Sequence, residues 1–94
     1  MNAIIKNIII TTLQEFDPVI IGIFGSYARN ENKPDSDIDI LVKFKSTPSL
    51  LQLIRAERLI SQKLGIKVDL VTEGSIKNKI VKENIQKDLQ IIYQ

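Results

Sequence analysis

The order of apolar and polar residues divides the chain into alternating helices and strands. Apolar residues recur at helical spacing over residues 2–16, and Asp17-Pro18 ends this first predicted helix because proline disfavours helical geometry in the residue before it. Residues 19–24 are apolar on both faces and mostly β-branched, which is typical of a buried strand. Residues 37–45 alternate between an apolar side and a largely polar side, and this alternation predicts a second strand.

The second half of the chain repeats the order of helix and strand. Apolar positions at helical spacing predict a helix over residues 48–64, and Gly65 fits the left-handed position at which helices end. Residues 67–72 alternate again, with Val68 and Leu70 opposite Asp69, and this segment is predicted to be the third strand.

The C-terminal segment completes the prediction of the fold. A last helix is expected over residues 76–88 with Ser75 as its N-cap, while residues 89–93 fit either a short edge strand or a continuation of that helix. Alternating strands and helices indicate an α/β domain, of the α+β kind, in which helices flank a small sheet. Short connections favour a mixed sheet over a fully parallel one. The chain of 94 residues is expected to form one domain, residues 1–94.

Composition narrows the chemistry that this domain can perform. The chain has no histidine and no cysteine, which removes the commonest general base, thiol chemistry and Cys-based zinc sites. Any metal site must therefore use carboxylates, whose hard oxygens favour Mg²⁺ or Mn²⁺. A formal net charge of only +2 speaks against nucleic acid as the main partner. No apolar stretch is long enough to span a membrane, so a cytoplasmic location is expected.

Two short motifs combine residues suited to phosphate and metal chemistry. Gly25-Ser26 follows the first predicted strand, where glycine lets the backbone approach a phosphate, amides at a following helix start favour an anion, and serine adds a hydroxyl donor. After ten intervening residues, Asp37 and Asp39 fall on one face of the second strand, where they can share divalent cations. Each motif also has a plainer interpretation, namely an ordinary turn, and a solvated strand face with Asp37 still in the loop.

Asp69 is the third candidate residue. Aspartate is disfavoured in the middle of an apolar strand, so its presence between Val68 and Leu70 needs a reason. Asp69 either joins the carboxylates of the second strand or lies on an edge strand and faces water.

These motifs together resemble the minimal nucleotidyltransferases of the DNA polymerase β superfamily. The resemblance lies in residues 25–29 (GSYAR), 36–42 (SDIDILV) and 64–71 (LGIKVDLV), covers nearly the whole chain, and is greatest with the antitoxins of HEPN/MNT toxin–antitoxin systems. It implies a nucleotidyltransferase fold similar to the polymerase β palm. Relatives commonly have glycine where this chain has Asn30, but asparagine also tolerates left-handed backbone geometry.

The resemblance implies a role for each candidate residue. Gly25 and Ser26 would hold the triphosphate of ATP. Two Mg²⁺ ions, or Mn²⁺, would be ligated by the three catalytic carboxylates of Asp37, Asp39 and Asp69.

The implied activity is transfer of AMP from ATP to a protein hydroxyl. The implied acceptor is a tyrosine of a cognate HEPN ribonuclease toxin, in a hetero-oligomer with a type VII-like antitoxin. Arg29 would contact leaving-group phosphates, or else is a surface charge. Two other functions stay open: an antitoxin that neutralises its toxin by covering it, and a nucleotidyltransferase that modifies a small molecule. The three carboxylates favour the enzyme over pure binding, and one small domain leaves little room for a small-molecule pocket.

Overall fold

Four strands form one mixed sheet in the computed structural model, which describes residues 1–94. The strands are β1 (Pro18–Phe24), β2 (Ile38–Phe44), β3 (Val68–Thr72) and β4 (Gln90–Tyr93), and their order across the sheet is β3-β2-β1-β4. β1 is antiparallel to both β2 and β4, whereas β2 and β3 are parallel. The prediction of a mixed sheet is therefore confirmed, and the C-terminal segment is an edge strand.

Three helices accompany this sheet. They are α1 (Ala3–Leu13), α2 (Leu50–Leu64) and α3 (Lys79–Asp88). The first predicted helix was too long at its C-terminal end, because residues Gln14–Phe16 form a separate 3-10 turn after α1. None of the three helices combines the length and the apolar character needed to cross a bilayer.

Both ends of α2 are fixed by side-chain and backbone capping. Ser49 accepts a hydrogen bond from the Gln52 amide, and the Gln52 side chain accepts one from the Ser49 amide, so that both donors are satisfied. Gly65 ends the helix in the left-handed conformation, with φ 67° and its amide bonded to the carbonyl of Ser61. The predicted role of Gly65 is confirmed.

The start of α3 differs from the prediction. The cap is Asn78, whose side chain accepts hydrogen bonds from the amides of Ile80 and Val81. Ser75 is not the cap, because it lies in a 3-10 turn over Glu73–Ser75 and α3 begins only at Lys79. Several capping residues follow one another here, and the local pattern alone did not identify the one that is used.

The core lies between the sheet and the first two helices. Alternate residues of β2 are buried against α1 and α2, and full burial of such an aliphatic side chain contributes about 1.5–3 kcal/mol. The buried set comprises Ile9, Leu13, Ile21, Ile23, Ala28, Ile38, Ile40, Val42, Phe44, Ala56, Ile60 and Val68. Strand alternation leaves Asp39 on the opposite face, where α3 packs beside β1.

Candidate functional site

The predicted carboxylates meet on two adjacent parallel strands. Asp39 of β2 is paired in register with Asp69 of β3, and side chains at paired positions of neighbouring strands lie on the same face of a sheet. Asp37 immediately precedes β2 and lies two residues before Asp39, so extended geometry places it on that face as well. The structure thus brings the three aspartates to one face, and their role as metal ligands stays a prediction.

The charges of this cluster disfavour ionisation of its central member. The pKa of Asp39 is raised, first by partial burial and then by the negative charges of Asp69 and Asp37, while Arg29 acts in the opposite direction. A bound cation would relieve this repulsion. Asp37 and Asp69 therefore lie close enough for their charges to act on the Asp39 carboxylate.

Gly25 is placed against the Asp39 carboxylate. Phe24, the last residue of β1, pairs with Asp39 across the β1–β2 ladder, and Gly25 follows with a left-handed φ of 73°. A Cβ atom at this position would overlap the carboxylate oxygen of Asp39 and lie 3.1 Å from its Cγ. Glycine is thus required both by its backbone conformation and by the space that the carboxylate occupies.

The residues after Gly25 form a tight turn with free donors. The Gly25 carbonyl accepts hydrogen bonds from the amides of Ala28 and Arg29, and residues 26–30 form a hydrogen-bonded turn where a helix start was expected. The amides of Ser26 and Tyr27 and the Ser26 hydroxyl have no hydrogen-bond partner within the chain. Consecutive free amides after a strand suit an anion such as a phosphate.

Asn30 closes the turn in the left-handed conformation, with φ 58°. Asparagine is one of the few residues other than glycine that adopt this conformation readily. The asparagine that departs from the pattern of the relatives therefore preserves the backbone geometry.

Arg29 is engaged in two ion pairs on the surface of the protein. Its Nη1 donates to Asp88 Oδ2 at 2.7 Å and its Nε donates to Glu31 Oε2 at 3.2 Å. The hydrogen bond to Asp88, followed by that to Glu31, raises the pKa of Arg29. The guanidinium is thus held in place beside the turn.

A cleft of about 240 Å³ lies between the turn and α3. The sequence did not predict that α3 forms one wall of this cleft. No local pattern indicates which helix packs against residues that are distant along the chain. The cleft is lined by Phe24, Gly25, Arg29, Asp39, Val81, Asn84, Ile85 and Asp88.

The donor set suits Mg²⁺ by type, since three carboxylates share one face and no softer ligand is present. As the side chains stand, however, no group of three or more acidic, histidine or cysteine residues is arranged to hold a metal ion. Asp37 Oδ2 lies 3.8 Å from Lys67 Nζ, and Asp69 is exposed on the edge strand β3. A shared cation would require these side chains to turn toward a common point.

The sequence of the chain matches a family of enzymes that transfer a nucleotidyl group. Residues 5–92 match the family model described as the nucleotidyltransferase domain. The chain belongs to this family and is a minimal nucleotidyltransferase, homologous to protein adenylyltransferases.

Two archaeal relatives illustrate the similarity in sequence. A protein of Methanocaldococcus jannaschii assigned as a protein adenylyltransferase is 56% identical over 69 residues, covering 73% of this chain and 70% of that protein. The protein adenylyltransferase MntA of Thermococcus cleftensis is 53% identical over 62 residues, covering 66% of this chain and 63% of that protein.

Solved structures show the same fold. A structure described as a minimal nucleotidyltransferase superposes with a TM-score of 0.77 at 28% identity, covering 90% of this chain and 86% of that one. A toxin–antitoxin structure with AMP-PNP gives a TM-score of 0.83 at 24% identity, covering 94% of this chain and 72% of that one. The predicted fold class is confirmed.

Proposed function

We propose that this enzyme transfers AMP from ATP to a hydroxyl group of a protein, with a tyrosine of a cognate HEPN ribonuclease toxin as the acceptor. It would then act as a type VII-like antitoxin in a hetero-oligomer with that toxin. The relatives named as protein adenylyltransferases, and the toxin–antitoxin structure with AMP-PNP, support this choice of substrate and partner. The observation that carries the proposal is the in-register pairing of Asp39 with Asp69 beside Gly25.

The turn after β1 binds the triphosphate of ATP in this proposal. The free amides of Ser26 and Tyr27 donate to phosphate oxygens, and the Ser26 hydroxyl adds a third donor. The absence of a side chain at Gly25 keeps the turn and the Asp39 carboxylate in contact, so phosphates held by the turn lie beside the acidic cluster.

The three aspartates would hold Mg²⁺ on the face where the phosphates bind. When bound, Mg²⁺ supplies charge stabilisation for the attacking and leaving oxygens of an in-line displacement. Asp37 and Asp39 project from the same end of β2, and Asp69 completes the set from β3. Neutralisation of their mutual repulsion would offset the cost of bringing three carboxylates together.

Asp69 is suited to take the proton of the acceptor. It is the most accessible of the three carboxylates because it lies on the exposed edge strand β3, where a protein substrate can approach. A carboxylate oxygen of Asp69 accepts the proton of the attacking hydroxyl. The acceptor oxygen then bonds to the α-phosphorus, the bond from that phosphorus to the β-phosphate oxygen breaks, and pyrophosphate leaves.

Labelling of the toxin by the chain tests the proposal. Incubated with radiolabelled ATP, Mg²⁺ and the cognate toxin, the wild-type protein should attach AMP to a toxin tyrosine and release pyrophosphate. Asp39→Asn should abolish labelling, because the amide is nearly isosteric with the carboxylate but binds a hard cation poorly. The matched control is Asp35→Asn, which alters an exposed residue of the preceding loop and should label normally. Full labelling by Asp39→Asn would exclude the catalytic role of this carboxylate.

A further inference from the structure

The junction between α3 and β4 is attached to β1 and its turn by three consecutive residues. Asp88 accepts the hydrogen bond from Arg29, and Gln90 Nε2 donates to the Ala28 carbonyl at 2.8 Å. Leu89 lies between these two contacts and packs over Gly22 of β1. We refer to residues 88–90 as the α3–β4 junction.

Gly22 makes the central contact of the junction possible. A Cβ atom there would lie 2.5 Å from Leu89 Cδ1 and 3.2 Å from Leu89 Cγ, which is closer than such atoms pack. Glycine in a strand interior is otherwise unfavourable and often marks the close approach of another segment. The glycine in β1 is therefore explained by the approach of the α3–β4 junction.

Besides the packing of Ala28 in the core and of Tyr27 against it, the turn has few hydrogen bonds to the rest of the protein. Its remaining hydrogen bonds are local, joining residues 25–31 to one another. The two bonds from Asp88 and Gln90 instead connect it to residues about sixty positions away along the chain. They tie the Arg29 side chain and the Ala28 backbone to the same distant segment.

The geometry at Arg29 leaves part of the guanidinium available. Asp88 occupies Nη1 and Glu31 occupies Nε, whereas Nη2 has no partner in the chain. A long and partly exposed side chain such as Arg29 loses rotamer entropy when it is ordered. Because Asp88 and Glu31 already order Arg29 in the free protein, less entropy is lost when a ligand binds. Arg29 and Asp88 both line the cleft that contains Gly25 and Asp39.

We infer that Asp88 and Gln90 are positioning residues for ATP: they hold the Arg29 guanidinium and the Gly25–Asn30 turn in the conformation that receives the triphosphate. The inference rests on the proposed function in one respect, namely that Arg29 contacts a phosphate. Asp88 acts through Arg29, and Gln90 acts through the backbone at Ala28. Neither side chain needs to touch the nucleotide.

Nucleotide affinity tests this inference without any acceptor. Titration calorimetry with AMP-PNP and Mg²⁺ should show about tenfold weaker binding for Asp88→Asn, the loss expected for one charge-assisted hydrogen bond. Gln90→Glu, which removes the donor at nearly constant shape, should weaken binding to a smaller extent. Asp88→Glu should restore affinity, because it returns the charge to Arg29. Thermal denaturation of each variant separates lost affinity from lost folding.

A control variant removes a negative charge without touching Arg29. Glu83→Gln changes an exposed residue of α3. It should bind AMP-PNP within about twofold of the wild type, as expected for an exposed charge. Arg29→Gln should weaken binding at least as much as Asp88→Asn, and the double variant should be no weaker than Arg29→Gln alone.

Three results would overturn the inference. Unchanged or tighter binding by Asp88→Asn would mean that Asp88 merely competes with phosphate for Arg29. Additive losses in the double variant would show that Asp88 acts independently of Arg29. Unchanged binding by Arg29→Gln would show that Arg29 does not contact a phosphate. The proposed function would still stand, because it is tested separately by whether Asp39→Asn labels the toxin.

Discussion

The two halves of the site are built in different ways. The carboxylate half lies on β2 and β3, where strand alternation and one register of pairing suffice to bring Asp37, Asp39 and Asp69 to a common face. The turn half, residues 25–30, is instead fixed by a left-handed glycine and by contacts with the α3–β4 junction. Secondary structure thus places the acidic residues, whereas tertiary contacts between distant segments hold the turn that we propose to bind phosphate.

The largest effect is expected where the two halves touch. Gly25→Ala should destabilise the fold by at least about 1–2 kcal/mol, the cost of a left-handed alanine, and should also abolish AMP transfer because the new Cβ displaces the Asp39 carboxylate. Chemical denaturation and the labelling assay measure the two effects.

Gly65→Ala is the matched control for this substitution. Gly65 has nearly the same φ of 67°, but no atom lies within 4 Å of a Cβ placed there. The Gly65→Ala variant should therefore lose about as much stability from backbone strain as Gly25→Ala does, but it should retain full activity. Equal activity of the two variants would show that the contact between Gly25 and Asp39 is not important for the site.

An intermediate effect is expected from the repulsion within the carboxylate half. The folded state raises the pKa of Asp39, so it favours the protonated form. The resulting stabilisation is present below the ordinary pKa and is lost as the pH rises through the raised value. In EDTA, Asp39→Asn should therefore be more stable than the wild type at neutral pH, with a difference that shrinks on acidification.

Denaturation curves over a pH series measure this difference. Asp37→Asn should give a smaller gain in stability. Its carboxylate lies near the Lys67 ammonium group, and the substitution removes this favourable ion pair together with the repulsion. A gain for Asp39→Asn that did not depend on pH would contradict the electrostatic origin.

The smallest effect is expected at the end of the turn. Asn30 already adopts the left-handed conformation, so Asn30→Gly should change stability by no more than about 0.5 kcal/mol and leave AMP transfer unchanged. Differential scanning calorimetry and labelling of the toxin check both quantities. A large loss of activity would mean that the Asn30 side chain itself contributes to the site.

The sequence predicted the carboxylate half better than the turn half. Alternation along residues 38–44 indicated which side of β2 would be buried, and Gly65 marked the end of α2, because both signals depend on near neighbours. For Asp69 the sequence offered two alternatives, membership of the cluster or exposure on an edge strand. Both are observed, because Asp69 lies beside Asp39 and is also exposed on β3.

The contacts of the turn could not be read from local pattern. The pairing of Arg29 with Asp88 depends on where the chain returns to the sheet after α3, and nothing near either residue specifies that path. The beginning of α3 at Lys79 likewise depended on which of several polar residues supplied the cap. These features follow from tertiary packing, which overrides local preference.

Ribonuclease activity of the toxin after denaturing separation tests the central claim most directly. Toxin incubated with ATP, Mg²⁺ and a catalytic amount of wild-type protein should stay inactive after separation and refolding, because the AMP is covalently attached. Toxin treated with Asp39→Asn should regain full activity, although a complex between the two proteins should still form. Recovery of full activity in both cases would contradict the account and show that the chain neutralises its partner only by covering it.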